Sequence, residues 1–489
     1  MATILVFTSE LLPLPGLPTG GRGVRIAGLM QGLQEHGHQV RISFAQDNLQ
    51  HLVQQHPGAI PKEWQALAHT ADNHRGIIAA VRPDCLLFSP WTMALPDTAT
   101  AAARELPVIF DLPSPLALEN VFEGQEALFL LLQKKIATLH HGDLFLISNP
   151  RQRAFWYPLL LQAGLDLHDD PLVLCPFSAA GELPPHRIYP SPPEFFFGGV
   201  LWKWQDYGTS LRQVADHCLQ HGGRLRVCAG DFIYRGSARQ LTELAGHPAV
   251  LAGGLLPYAS FHQLLLGSSA AIELYRHNPE RELASTTRTI EYLCHGVPVI
   301  YSEAMYYADL IRRYDAGWVI DPANSVQLAQ VLDEIRSRPE LCAHKGTRAR
   351  QLADEHFSPA TATAVLAQFC AAPIKRRRKN DHVSRQCLTL LRSLDNNRRQ
   401  REHFATALAT EQHNYRQLHE ESAARHREVA ALARQLAEER AAADRVREQL
   451  ATVSAQHAAI LADINRIKSR LIFRFLAAGK RFCNRLFSW

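Results

Sequence analysis

Short apolar runs and amphipathic stretches take turns along the first part of the chain, and that alternation limits the fold more than any other feature. Thr3–Thr8 reads as a buried strand, and Arg22–His36 as a helix with Val24, Ala27, Met30 and Leu33 on one face. Val40–Ala45, Cys85–Phe88, Val108–Phe110, Leu144–Ile147 and Leu172–Leu174 read as further strands. Strand–helix–strand repetition of this kind builds a parallel sheet covered by helices on both faces.

The pattern stops between Pro176 and Glu194, where Pro176, Pro184, Pro185, Pro190, Pro192 and Pro193 crowd together. So proline-rich a stretch is a natural domain boundary. A second series follows, with strands at Phe195–Phe197, Leu225–Ala229, Val250–Leu251, Ala270–Leu274 and Val299–Tyr301. It closes with helices near 324–336 and 346–370. The expected fold class is therefore α/β, with two Rossmann-like domains over 1–180 and 181–372.

After Pro373 the chain turns polar and helical. A basic linker is expected over 373–400, then a coiled coil over 401–470. From Leu408 to Leu471, positions alternating by three and four residues keep one seven-residue register over nineteen sites, fourteen of them apolar. A single straight helix drifts from such a repeat, so keeping it this long implies supercoiling. Glu411, Ser422, Arg425, Glu439 and His457 interrupt the seam and leave the number of strands open.

Charge follows the same division. The net charge is +5, yet Lys375–Lys379 carries +5 and the acid-free residues 464–489 carry seven cations, so the remainder is 5 − 12 = −7. An acidic main body argues against nucleic acid as a partner. In the tail, Ile467, Leu471, Phe475, Ala478, Phe482, Leu486 and Trp489 recur on one helical face amid those cations. That is the pattern of an amphipathic segment for an anionic membrane surface. No run of about 20 apolar residues offers a membrane span. The N-terminal residues lack a secretory signal, and the nine cysteines fit neither a disulfide framework nor a zinc site. The expected location is the cytoplasm, peripheral to the inner face of the membrane.

Two segments carry chemistry. Pro18-Thr19-Gly20-Gly21-Arg22-Gly23 lies between the first strand and the first helix, where glycines allow close approach and a helix N-terminus presents N–H groups to phosphate. It lacks the Gly-x-Gly-x-x-Gly spacing of a nicotinamide site. In the second, Ser285-Thr286-Thr287 reads as the start of a helix that ends at Gly296. Arg288 stands in its first turn, where a cation opposes the helix dipole; a bound anion would resolve the conflict. Glu291, one turn on, is placed to bond ribose hydroxyls or simply to pair with Arg288. Among the 24 histidines none shows a metal-binding spacing.

Glu291-Tyr292-Leu293, followed by Gly296-Val297-Pro298-Val299-Ile300, resembles the nucleotide-sugar motif of retaining glycosyltransferases of GT-B fold, the family-four or "group 1" type. Gly21 and Glu35–Val40 resemble that family's opening, and Asp111–Glu119, Ser148–Trp156 and Gly198–Asp206 are similar to segments of one branch. The resemblance covers roughly residues 3–370. The family's usual motif has two glutamates eight positions apart, whereas position 283 here is leucine. Glu280 is the preferred first acid and Glu282 the runner-up.

The resemblance implies transfer of a sugar, with retention, from a nucleotide-diphosphate sugar to a glycan or lipid-linked acceptor, as in surface polysaccharide synthesis. A GT-B epimerase or phosphorylase, and a non-catalytic sugar-nucleotide-binding scaffold, are the alternatives. The departing diphosphate needs cations or N–H dipoles. Without an Asp-x-Asp, no metal and no organic cofactor are expected. Arg288 and Lys203 supply fixed charge, while Gly20, Gly21, Glu280, Ser285, Thr286 and Glu291 bind the donor. Asp111, at the end of a strand, is the candidate to receive the acceptor's proton or hold a sugar hydroxyl; a turn residue is the plainer reading.

Overall fold

The computed structural model describes the chain except residues 57, 71, 94–105, 120–124, 180–186, 188, 201, 203, 208, 231–241, 377–380 and 487–489. The first unit, Met1–Arg392, holds two six-stranded parallel sheets with helices packed around them. The first sheet uses β1 (Thr3–Thr8), β2 (Gln39–Phe44), β3 (Cys85–Phe88), β4 (Val108–Asp111), β5 (Leu144–Ile147) and β6 (Leu172–Leu174). Its strand order is β2-β1-β3-β4-β5-β6. The register places Ile4 between Val40 and Cys85. All four residues of β3, β4 and β5 are buried, which is why these strands read as unbroken apolar runs.

The second sheet uses β7 (Glu194–Val200), β8 (Arg224–Gly230), β9 (Val250–Gly253), β10 (Ala270–Glu273), β11 (Val299–Ser302) and β12 (Gly317–Ile320). Its order is β12-β11-β10-β7-β8-β9. Each sheet therefore reverses direction of growth beside its first strand, β1 or β7. In doubly wound sheets such a switch point opens a crevice at the carboxyl ends of the strands, and the loops after β1 and β7 stand there.

The segment 346–370, read as one closing helix of the second domain, is two helices with different attachments. Ala349, Leu352 and Ala353 of Pro339–His356 belong to the second core. The chain then breaks at Ser358, whose hydroxyl accepts from Thr361 N at 3.3 Å, with proline in the first turn. Helix Pro359–Ala371 crosses back, and its Leu366, Ala367 and Cys370 complete the first core beside Ile4, Val6 and Leu33. It lies so close to helix Gly21–Glu35 that a Cβ on Gly32 would come within 2.2 Å of Pro359 O.

The expected basic linker is likewise divided. Asp143 is fully buried, and the residues after the crossover helix satisfy it: Arg376 N donates to Oδ1 at 2.8 Å and Lys375 Nζ to Oδ2 at 3.3 Å. Lys375 and Arg376 are thus held on the first domain rather than solvated in a hinge. At Asp381 a helix begins that runs to Leu486, 106 residues and roughly 160 Å.

The second unit, Ser393–Trp489, takes in most of that helix. In the single chain its heptad side chains stand exposed, Leu418 at 68% and Leu450 at 70%. Among the described residues no helix is long and apolar enough to cross a membrane.

Candidate donor-site cleft

A cleft of about 720 Å³ runs between the two sheets of the first unit. The first domain contributes Glu10, Thr19, Gly20, Gly21, Arg22 and Glu119 to its wall. The second contributes Glu280, Arg281, Ser285, Thr286, Arg288 and Glu291. Gly20 caps the opening helix with extended backbone, and Gly21 meets the second domain directly. Thr287 Oγ1 donates to Gly21 O at 3.2 Å, and a Cβ on Gly21 would fall 2.8 Å from that hydroxyl. Glycine suits this position because the Thr287 side chain packs directly on its backbone.

The helix Thr287–Cys294 begins where the sequence places it, with Thr286 as its extended cap residue. Ser285 and Thr286 are both buried at the cleft. Ser285 Oγ accepts from Asn149 Nδ2 at 2.9 Å, and the same amide donates to Leu283 O at 2.8 Å. Gln152 Nε2 adds a bond to Leu283 O at 3.0 Å, and Arg151 reaches Ala304 O at 2.9 Å. The Ser148–Trp156 segment therefore clasps the second domain's site from the first.

Arg288 resolves its conflict with the helix dipole inside the protein. Its Nε lies 3.5 Å from Oε1 of Glu273, a fully buried acid at the end of β10. Its other nitrogens donate to Gly198 O at 2.8 Å and Gln205 Oε1 at 3.0 Å. Burial opposes its charge, but the surrounding Tyr275 and Glu273 outweigh burial and hold its pKa well above the ordinary value. The result is a permanently charged, immobile guanidinium at the cleft wall.

Glu291 is buried and its carboxylate is gripped on both oxygens. Tyr258 Oη donates to Oε1 at 2.7 Å, and His262 Nε2 stands 2.5 Å from Oε2. Burial alone would raise its pKa, but the His262 bond and the two histidines' charges outweigh it, and the acid stays below the usual carboxylate range. His295 packs on His262 with ring centroids 4.0 Å apart and bonds Glu291 O at 2.7 Å.

Of the two candidate first acids, Glu280 lines the cleft and is buried; Glu282 is exposed, paired with His277 at 3.4 Å, and does not line it. Glu280 takes Arg281 Nε and Nη2 at 2.5 and 2.7 Å. Arg281 Nη1, also buried, has no hydrogen-bond partner among the described residues. Trp202 and Trp204 stack at 5.0 Å on the cleft wall rather than in the core. Lys203 lies outside the described residues.

Asp111 stands apart from the residues that line the cleft. It is fully buried and absent from the cleft wall. Arg25 takes it with Nε at 3.0 Å and Nη2 at 2.8 Å, and Ser89 Oγ donates to Oδ2 at 2.7 Å. This carboxylate therefore holds the base of the opening helix to β4. Its position at a strand end suggested the cleft; the arginine that claims it, 86 residues earlier, gave no sign of doing so.

Tyr258, His262, Glu273, Gln205 and Arg281 went unread in the sequence. Tyr258 and His262 are four apart and so share a helical face, which was visible, but nothing tied that face to Glu291.

These two facing parallel sheets, with a helix N-terminus and fixed arginine at the cleft between them, define the GT-B fold. Among solved structures the chain resembles sucrose-phosphate synthase from Thermosynechococcus elongatus, with 14% identity and TM-score 0.52 over 76% of this chain and 98% of that one. It also resembles HepE of Anabaena in complex with UDP-glucose, again at 14% identity and TM-score 0.52, over 76% of this chain and 100% of that one. No family model and no curated protein matches the sequence.

Proposed function

We propose that the chain is a glycosyltransferase that moves a sugar from a nucleotide-diphosphate sugar, with retention and without a metal ion, to a glycan or lipid-linked acceptor. One observation carries this reading: Arg288, the N-terminus at Ser285–Thr287 and the anchored Glu291 line the same cleft beside Gly20 and Gly21. Arg288 and the helix N–H groups face the diphosphate, whose charge grows as the sugar leaves. Because Arg288 is already fixed by Gly198 and Gln205, no reorganisation is needed in the transition state. Glu291 binds the ribose diol through the acceptor directions that Tyr258 and His262 leave free. Glu280 and Arg281, on the same wall, are assigned to the donor's sugar. With Asp111 sealed away, the departing diphosphate itself takes the acceptor's proton, on the face the acceptor attacks, which gives retention.

HepE was solved with UDP-glucose, and this supports a uridine-type donor for the present cleft. The heptad register and the exposed apolar stripe of the C-terminal helix support a homo-oligomer formed through a coiled coil. The basic segment from Arg466 onward supports attachment to an anionic membrane, which would place the enzyme in the cytoplasm at the inner face and favour a lipid-linked acceptor. Calorimetry across a panel of sugar nucleotides, followed by product analysis with the donor that binds, tests the proposal. Binding with release of nucleoside diphosphate and a glycosylated acceptor is expected. Binding of no donor would leave a scaffold, and an isomerised donor would make it an epimerase.

A further inference from the structure

Away from the cleft, helix Ser210–His221 carries His217 and His221 one turn apart, their ring centroids separated by 4.6 Å. Residues four apart on a helix present their side chains on one face, the spacing with which paired histidines grip a metal. This pair departs from the expectation that no histidines have a metal-binding spacing, and its third partner lies far along the chain. Folding supplies it: Asp333, on helix Ser325–Ser337, brings Oδ1 to 3.2 Å from His217 Nε2. One ligand atom from each of the three falls within 4.8 Å of the others.

We propose that His217, His221 and Asp333 form a zinc site that clips these two helices together on the second domain, with water as the fourth ligand. Two imidazoles and one carboxylate are a zinc ligand set, with bonds of about 2.0–2.2 Å. A tetrahedron of such bonds has edges of about 3.3–3.6 Å. The His217–Asp333 edge is already 3.2 Å. Only His221 must close in, by at most about 1.5 Å, and its ring is exposed. Without metal, His217 Nε2 donates to Asp333 Oδ1; zinc binding displaces that proton, and Nδ1, which has no hydrogen-bond partner among the described residues, takes the N–H of the metal-binding tautomer. Asp333 is also 3.3 Å from Arg336, but that contact is an exposed pair, which is weak and readily displaced. The site is separate from the cleft and has no part in the transfer step.

One competitor must be kept apart. His262, Glu291 and His295 also bring ligand atoms together, at the donor site. Untagged full-length protein, stripped with chelator, is titrated with zinc by calorimetry. One zinc per chain is expected. His221→Ala and Asp333→Asn should weaken it at least tenfold, and His344→Ala, an exposed histidine paired with Asp315, should leave it unchanged. Bound zinc should also raise the thermal midpoint in the native chain and not in His221→Ala. Zinc binding undiminished by His221→Ala, or lost only in His262→Gln, overturns the assignment, as does an absence of stoichiometric binding.

Discussion

Tyr258 joins Glu291 to the opposite wall of the cleft: its hydroxyl donates to Glu291 Oε1 at 2.7 Å while its backbone N donates to Leu17 O at 3.0 Å. Leu17 lies in the glycine-bearing loop of the first domain, so one residue of the second domain both touches the opposite wall and orients the carboxylate proposed to hold ribose. Two substitutions separate these roles. Glu291→Ala loses a charge-assisted bond worth about 1.5–3 kcal/mol and should weaken donor binding about ten- to a hundredfold. Tyr258→Phe loses a bond worth about 0.5–1.5 kcal/mol and should weaken it about two- to tenfold. Calorimetry with the best donor measures both; unchanged affinity in folded Glu291→Ala would remove Glu291 from the donor site.

Arg288 is fixed in the cleft by Gly198 and Gln205, so its loss should fall on turnover. Arg288→Ala should lower kcat by about a hundredfold or more, the scale seen when one preorganised transition-state donor is removed. Initial rates in EDTA should match those without it. Activity lost to chelator and restored by magnesium or manganese would show that a metal, not Arg288, stabilises the leaving group.

Asp111→Asn should damage stability and spare donor binding. The substitution leaves the buried Arg25 guanidinium without its counter-charge, a loss of about 3–5 kcal/mol for a buried pair. Urea unfolding measures this. A variant of native stability with abolished turnover would instead return Asp111 to a catalytic role.

Acid should weaken both domains before it reaches ordinary carboxylate pKa values. Burial pushes His295 down to about 4, and burial with neighbouring His74 pushes His69 down to about 3. The unfolded chain takes up these protons near pH 6.5, the folded chain only far lower. Between those values the unfolded state binds more protons, so stability falls as pH falls. For His295 the loss at pH 4 is on the order of 3 kcal/mol. Urea midpoints measured from pH 7 to 4.5 should decline, and His295→Gln should flatten part of that decline. A midpoint rising towards acid would contradict the sign.

Removal of the C-terminal extension should follow the structure, not the composition. Because Lys375 and Arg376 complete the shell of buried Asp143, a chain ending at Arg376 should be a stable monomer that binds donor. The full chain should form a defined oligomer and be retained by anionic liposomes at low salt. Light scattering and liposome sedimentation check the two halves separately; an oligomeric 1–376 chain would locate the contact elsewhere.

The sequence alone determined the local order of elements. Strands such as Cys85–Phe88 and Val299–Tyr301 were legible because parallel strands buried on both faces leave unbroken apolar runs. The start of the helix at Thr287 was legible because Ser and Thr suit a helix N-terminus. The same local signals could not say which distant groups meet. Asp111 belongs to Arg25, Arg288 to Glu273, Glu291 to Tyr258 and His262, and Asp143 to Lys375 and Arg376. Helix Pro359–Ala371 belongs to a sheet more than 180 residues before it. Hydrophobic periodicity reports which face of an element is buried, but a buried charge must find its partner wherever the fold supplies one. Those pairings therefore arise only when the two sheets and the crossover helix are assembled, and they decide which acids are free to touch a substrate.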